Sequence, residues 1–360
     1  MKKVLFYGLI AIVSSVSVLL VYMNSQLDYE DLLKHHTLIP EPINSQNELF
    51  VQWLGNATVV VSDGKNTIMT DAWFSRPSFS QMMSGVTTDE EAVKASLARA
   101  GIKVVDAIIP VHSHYDHAMD APAVAELTNA VIFGSESSAN VGRGWGLPEE
   151  QLLVVDKARS ERFGEFTVTL LKSKHYVFVD EKFNEDAGKE ITQPLKQPAA
   201  FTDYHEGGAY AVIIEHPQAT ILINGSTGYL DGLLNDIDAD IVFLSVAGIA
   251  VQTEQYQKEY WAEVVEVVGA TTVVPIHWDS MTHPLGDEPQ GPSRLMDSIL
   301  LNVRMKESVY WLIDKGGATN AGAINAGDMN STKGKAEEYY TPLMPLWEKV
   351  PLSQLVREER

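Results

Sequence analysis

Apolar residues recur along this chain in short runs, separated by turn residues and by stretches with helical spacing. The runs at 48–54, 57–62, 67–70, 104–111, 152–155, 166–171, 209–215, 219–223, 241–245 and 272–276 read as strands. Asp63-Gly64 marks a turn between the second and third of them. Thr88 with Glu91 three residues later reads as a capping box opening a helix through Ala100. Shorter helices are expected after Asp120 and near 135–141. A longer one fits 254–268, where Tyr256, Tyr260, Val264 and Val267 share a face. A further helix fits 293–303, with Pro292 and Ser293 near its start. Strands alternating with helices predict an α/β layered domain.

Two stretches interrupt the alternation. Residues 176–208 are rich in Asp, Glu, Lys, Pro and Gly and read as an insertion or lid. Its end makes Tyr204 and His205 candidate substrate-binding, acid or ligand groups, although Gly207-Gly208 equally suits a turn before the next strand. The N-terminus is the other interruption. Met1-Lys2-Lys3 precedes an uncharged run from Val4 to Met23, long enough to span a bilayer. No Ala-x-Ala cleavage site follows, so residues 1–24 read as an uncleaved signal anchor with the lysines inside. Cleavage and secretion is the alternative. Residues 25–46 then form a juxtamembrane linker or strap, 47–328 the main domain, and 329–360 a C-terminal extension.

The strand 104–111 runs into His112-Ser113-His114-Tyr115-Asp116-His117, three imidazoles and a carboxylate in six positions. His112 and His114 point the same way in an extended segment, and Asp116 and His117 follow on a turn. Neutral imidazole and carboxylate are good ligands for zinc and related divalent ions. Two more strands end in histidines, His175 and His277, and an early one ends at Asp71. His283 lies six residues after His277 and is a candidate for the same cavity. His216, before a proline, reads as solvated, and His35 and His36 carry no role.

His-x-His-x-Asp-His after a short apolar strand resembles the signature of the metallo-β-lactamase-fold hydrolases. Trp53-Leu54-Gly55-Asn56-Ala57-Thr58, Ile68 to Phe74, Ser173-Lys174-His175 and Val273 to Asp279 match in the expected order, so the resemblance covers about residues 47–315. The opening segment and the last histidine look most like the branch of N-acyl phosphatidylethanolamine phospholipase D and the ascorbate-6-phosphate lactonase-like proteins. The resemblance implies a four-layer αββα sandwich, here behind an N-terminal transmembrane helix, with the site at one edge. It implies two adjacent metal positions, one held by His112, His114 and His175, the other by Asp116, His117 and His277. Asp71 would orient the histidine loop from behind the ligands. The expected cofactor is zinc, as one or two ions, with manganese or iron(II) as alternatives.

One departure bears on the metals. Ser226 stands where the resemblance expects an aspartate that bridges the two ions, and a hydroxyl is a poor substitute for that carboxylate. Asn224 and Asp231 are the nearest replacements. Asn56 is a milder departure, at a position where the branch commonly has histidine.

Net charge narrows the substrate. With 27 basic and 48 acidic residues the chain carries −21, which repels nucleic acid and excludes it as a partner. The chain has no cysteine, which excludes disulfides and thiolate metal sites. The resulting expectation is a membrane-anchored, extracytoplasmic hydrolase on the periplasmic side of the inner membrane. A metal-activated water would attack a phosphodiester, ester or lactone in a small-molecule or lipid substrate, with Asp116 as ligand and, if only one metal binds, as proton shuttle as well or instead. The alternative is a non-catalytic binding or scaffold protein with a degraded site, for which Ser226 speaks.

Overall fold

The computed structural model describes residues 14–15, 17–19, 21–23, 25–43, 48–178, 184, 188–300, 302–316 and 339–356. Residues 50–154 supply strands β1 (Phe50–Trp53), β2 (Val59–Ser62), β3 (Thr67–Thr70), β4 (Ala107–Ile109), β5 (Val131–Gly134) and β6 (Leu152–Val154). The rest of the chain supplies β7 (Ala158–Phe163), β8 (Phe166–Lys172), β9 (Tyr210–His216), β10 (Ala219–Asn224), β11 (Ile241–Ser245), β12 (Thr272–Ile276) and the short β13 (Val350–Pro351). They form two sheets, in the orders β13-β1-β2-β3-β4-β5-β6 and β12-β11-β10-β9-β8-β7. Each sheet is mixed, with β3 to β6 parallel in the first and β10 to β12 parallel in the second. The fold is thus α/β with two sheets, and one hydrophobic core joins residues of both.

The parallel strands are the continuous apolar runs, because they are covered on both faces. All five residues of β11 and of β12 are buried. Asp63-Gly64 turns the chain as expected: Asp63 Oδ1 accepts from Lys65 N at 2.8 Å and Asn66 N at 2.7 Å. Strands β5, β7 and β13 were not anticipated. β7 is the polar edge strand Ala-Arg-Ser-Glu-Arg-Phe, defined by its pairing with β8 rather than by burial. β13 is two residues long and exists because β1 offers an edge.

Helix boundaries required correction. The helix Glu90–Ala100 is capped by Asp89, whose Oδ1 accepts from Glu91 N at 3.1 Å and Ala92 N at 3.0 Å. Thr88 instead donates its hydroxyl to Met119 O at 3.0 Å. The expected helix 254–268 is Glu254–Trp261 followed by a π turn, Ala262–Glu266. The expected helix 293–303 shortens around a π turn at Met296–Leu300, and an unanticipated helix, Met305–Ile313, follows it. Asp297 Oδ1 accepts from Met305 N at 2.7 Å, a start signal too far away in sequence for a capping motif. Helices Ala121–Thr128 and Glu136–Trp145 pack on β4, β5 and β6.

Residues 25–43 form a strap with its own helix, Glu30–His36, rather than a free linker. Leu32 is buried and Tyr29 donates its hydroxyl to Trp278 O at 3.0 Å. Residues 339–356 run over the domain likewise, with Leu343 buried and accepting from Leu38 N at 2.9 Å. Much of the proposed anchor, and the 328/329 boundary, lie outside the described residues. Among the described residues no helix is long and apolar enough to cross a membrane.

Candidate metal centre

The candidate site residues sit where strands of both sheets end. His112 and His114 follow β4, His175 follows β8, Ser226 follows β10 and His277 follows β12. Asp116 and His117 lie on a one-turn helix, Tyr115–Ala118, whose first turn closes on His114 O. The two sheets are stitched together beside it, since Tyr210 N donates to Val111 O and Ser113 N to Glu206 O, each at 2.9 Å.

Two groups of donor atoms result, and they are the two expected from the sequence: His112, His114 and His175, and Asp116, His117 and His277. In the first, His112 Nε2 lies 3.0 Å from His114 Nδ1. His175 Nδ1 lies 2.8 Å from Tyr176 O, which leaves Nε2 for the cluster. In the second, His277 Nε2 lies 3.2 Å from both His117 Nε2 and Asp116 Oδ2, and His117 Nε2 lies 3.4 Å from Asp116 Oδ2. Asp71 takes its expected place behind the ligands: Oδ2 lies 2.7 Å from His117 Nδ1, and Oδ1 accepts from Val111 N at 2.9 Å.

The donor set fits a divalent ion. Burial, reinforced by His117 and His175, pushes His112 well below its ordinary pKa and keeps it neutral. Burial and the neighbouring His114 lower His175 to about 3. Burial by itself would raise Asp116, but His117 and His277 hold its carboxyl below the usual range. Burial opposes a charge on His117, yet Asp71 and Asp116 raise its pKa. Asp116 and His117 are therefore tuned to attract a positive charge, and His112 and His175 to present neutral nitrogen.

A residue overlooked as a working part of the site is Asn56. Its carbonyl accepts from His277 N at 2.8 Å, its Nδ2 donates to Asp116 O at 2.7 Å, and its N donates to Asp279 Oδ1 at 2.7 Å. Asp279 Oδ2 lies 3.0 Å from Arg76 Nη2, and both side chains are buried. Arg76 also donates to Ser280 O at 2.7 Å and covers the Trp73 ring at 4.2 Å. Asn56, Asp71, Thr227 and His277 all have positive φ, a strain concentrated around the site. Arg76 carries no local sequence signal, whereas Asp279 closes the segment Val273 to Asp279 two residues after His277.

The other candidates divide. A cavity of about 370 Å³ opens over both groups and is lined by all six ligand residues, Ser226, Tyr204 and His205. Ser226 Oγ donates to Lys174 O at 3.4 Å. Tyr204 is buried within an apolar cluster with Met82 and Tyr115. His205 lines the cavity, and its carbonyl accepts from Ser113 Oγ at 2.6 Å. His283 is not among the lining residues, and its Nδ1 lies 2.9 Å from Ser280 Oγ. Asn224 does not replace the missing aspartate, because its Nδ2 donates to Gly228 O at 3.0 Å and to Tyr260 at 3.1 Å. His216, expected in solvent, packs on Phe166 with ring centroids 4.9 Å apart.

Comparison with known proteins agrees with this arrangement. The family model for the metallo-beta-lactamase superfamily matches residues 51–277. A UPF0173 metal-dependent hydrolase of Myxococcus xanthus is 25% identical over 276 residues, covering 75% of this chain and 82% of its own. One from Roseiflexus is 24% identical over 193 residues, covering 51% of this chain and 74% of its own. Among solved structures, the metallo-beta-lactamase fold protein YhfI of Bacillus subtilis matches with TM-score 0.41 and 15% identity, over 64% of this chain and 86% of its own. With two sheets, two candidate metal-holding groups at their strand ends and a family model spanning them, the chain belongs to the metallo-beta-lactamase superfamily, as an enzyme of the hydrolase class.

Proposed function

We propose that this hydrolase cleaves an ester, lactone or phosphodiester joined to a bulky apolar group, using zinc. The observation that carries the reading is the cavity wall. Around the ligands stand Met82, Tyr115, Phe201 and Met281 on one side, and Tyr176, Phe178, Val303 and Met305 elsewhere. A polar sugar or nucleotide would find few partners there, whereas an acyl chain would bury apolar surface at roughly 0.8 kcal/mol per CH₂. Lys189 also lines the cavity and suits an anionic group on the same substrate.

Zinc held by the histidines and Asp116 would supply Lewis acidity and an activated water. The chain's own residues do the rest. Asp71 fixes the ring of His117, Asn56 fixes the backbone at Asp116 and His277, and the apolar wall excludes bulk water. Asp116 lines the cavity; with one ion at His112, His114 and His175 it would be free to carry a proton, and with an ion beside it the carboxylate would be a ligand.

The uncharged run Val4–Met23 supports anchorage in the inner membrane with the domain on the periplasmic side, close to lipid or envelope substrates. The opening segment and His277 support kinship with the phospholipase and lactonase branch. Net charge −21 speaks against nucleic acid. Ser226 favours the second reading, a binding protein that has lost turnover.

The test is a series of nitrophenyl esters and nitrophenyl phosphodiesters of increasing chain length, assayed with zinc-loaded protein. The expected result is a kcat/KM that climbs several-fold for every two methylenes until the cavity is filled. Turnover indifferent to chain length removes the apolar-substrate reading. Binding without turnover of any member favours the second reading.

A further inference from the structure

The two metal positions are unequal in burial, charge and support. Asp116, His117 and His277 are all buried, whereas His114 and His175 are partly open. The support of the buried group reaches two layers back. His117 Nδ1 rests on Asp71 at 2.7 Å, Asn56 ties His277 N and Asp116 O, and Asp279 ties Asn56 N at 2.7 Å. Arg76 and Asp279 neutralise each other at 3.0 Å, so the charge left beside this position comes from Asp116 and Asp71. Two carboxylates balance one dication.

The open position is built differently. Its donors are three imidazoles, with no carboxylate in the group. Ser226, at the end of β10 and on the cavity wall, brings a hydroxyl whose Oγ is turned to Lys174 O at 3.4 Å. A second dication about 3.5–4 Å from the first meets strong repulsion, with no carboxylate of this group to offset it.

We propose that Asp116, His117 and His277 hold the resident ion, and that His112, His114 and His175 form an exchangeable position, made so by Ser226. This rests on the metal-dependent reading of the site.

The test is zinc content per folded chain after the full-length protein is loaded and passed over a chelating resin. The expected result is one ion for the wild-type chain, one for His114→Ala, none for His277→Ala, and close to two for Ser226→Asp. Circular dichroism of each metal-free form checks the fold. Should His277→Ala fail to fold, His114→Ala decides alone: retention supports the assignment and loss overturns it. Two ions retained by the wild-type chain, or no gain in Ser226→Asp, also overturn it. A wild-type chain that retains no zinc overturns this inference and the metal-dependent reading together, whereas one ion lost only with His114 overturns this inference by itself.

Discussion

His117 Nδ1 and Asp71 Oδ2 lie 2.7 Å apart, with both side chains buried. The second oxygen of Asp71 accepts from Val111 N, so one carboxylate sets both the ring of a ligand and the backbone that leads into the ligand loop. Asp71→Ala leaves two buried donors without a partner, at a cost of about 1–3 kcal/mol each. Metal affinity is expected to fall about 10–100-fold, measured by competition with a chromophoric chelator. Unchanged affinity would make Asp71 a packing residue only.

The Asn56 hub predicts sensitivity at its neighbour. Gly55 has φ +90°, and a Cβ there would stand 2.9 Å from Asp279 Oδ2 and closer still to Arg76 Nη2. Gly55→Ala is therefore expected to push apart the Arg76–Asp279 pair. Arg76→Met, which strands the buried Asp279 carboxylate, should cost roughly 3–5 kcal/mol. Urea denaturation of the metal-free proteins checks both, and a loss below about 1 kcal/mol for Arg76→Met would mean the pair is not holding this corner.

Gly228 makes the same demand on the other side. A Cβ there would lie 2.7 Å from the His175 carbonyl carbon, so Gly228→Ala must move the loop that carries His175. Weaker binding of the second equivalent of zinc is expected, with the first equivalent little changed, as read by calorimetric titration.

The pH dependence follows from His175. Burial, then His114, lowers it from 6.5 to about 3 in the folded chain. The unfolded chain takes up that proton near 6.5 and the folded chain near 3, so unfolding is favoured increasingly as pH falls through this window. Stability from this group is complete above it. Metal-free protein should lose stability steadily from pH 6.5 downward, and His175→Phe should flatten that slope. An unchanged slope would place the pH sensitivity elsewhere.

Phe201 and Met82 test the cavity. Phe201→Ala enlarges the wall and should shift the preferred chain length upward, while Met82→Trp should shorten it; a profile that stays fixed in both would show that the substrate does not reach this wall.

The sequence by itself determined the strand ends that carry chemistry. His112 to His117, His175, His277 and Asp71 were readable because each closes an apolar run, and buried strands announce themselves by composition. It also exposed Ser226 as the odd residue of the set. Contacts distant in sequence could be read only from the folded chain. Asn56 meets Asp279 across the whole domain, Arg76 pairs with the same Asp279 in the interior, and β13 needs β1 to be a strand at all. His205 and His283 look alike in sequence, and packing alone puts the first on the cavity and the second against Ser280. Periodicity records which residues leave water; which of them then meet is fixed by how two sheets share one core.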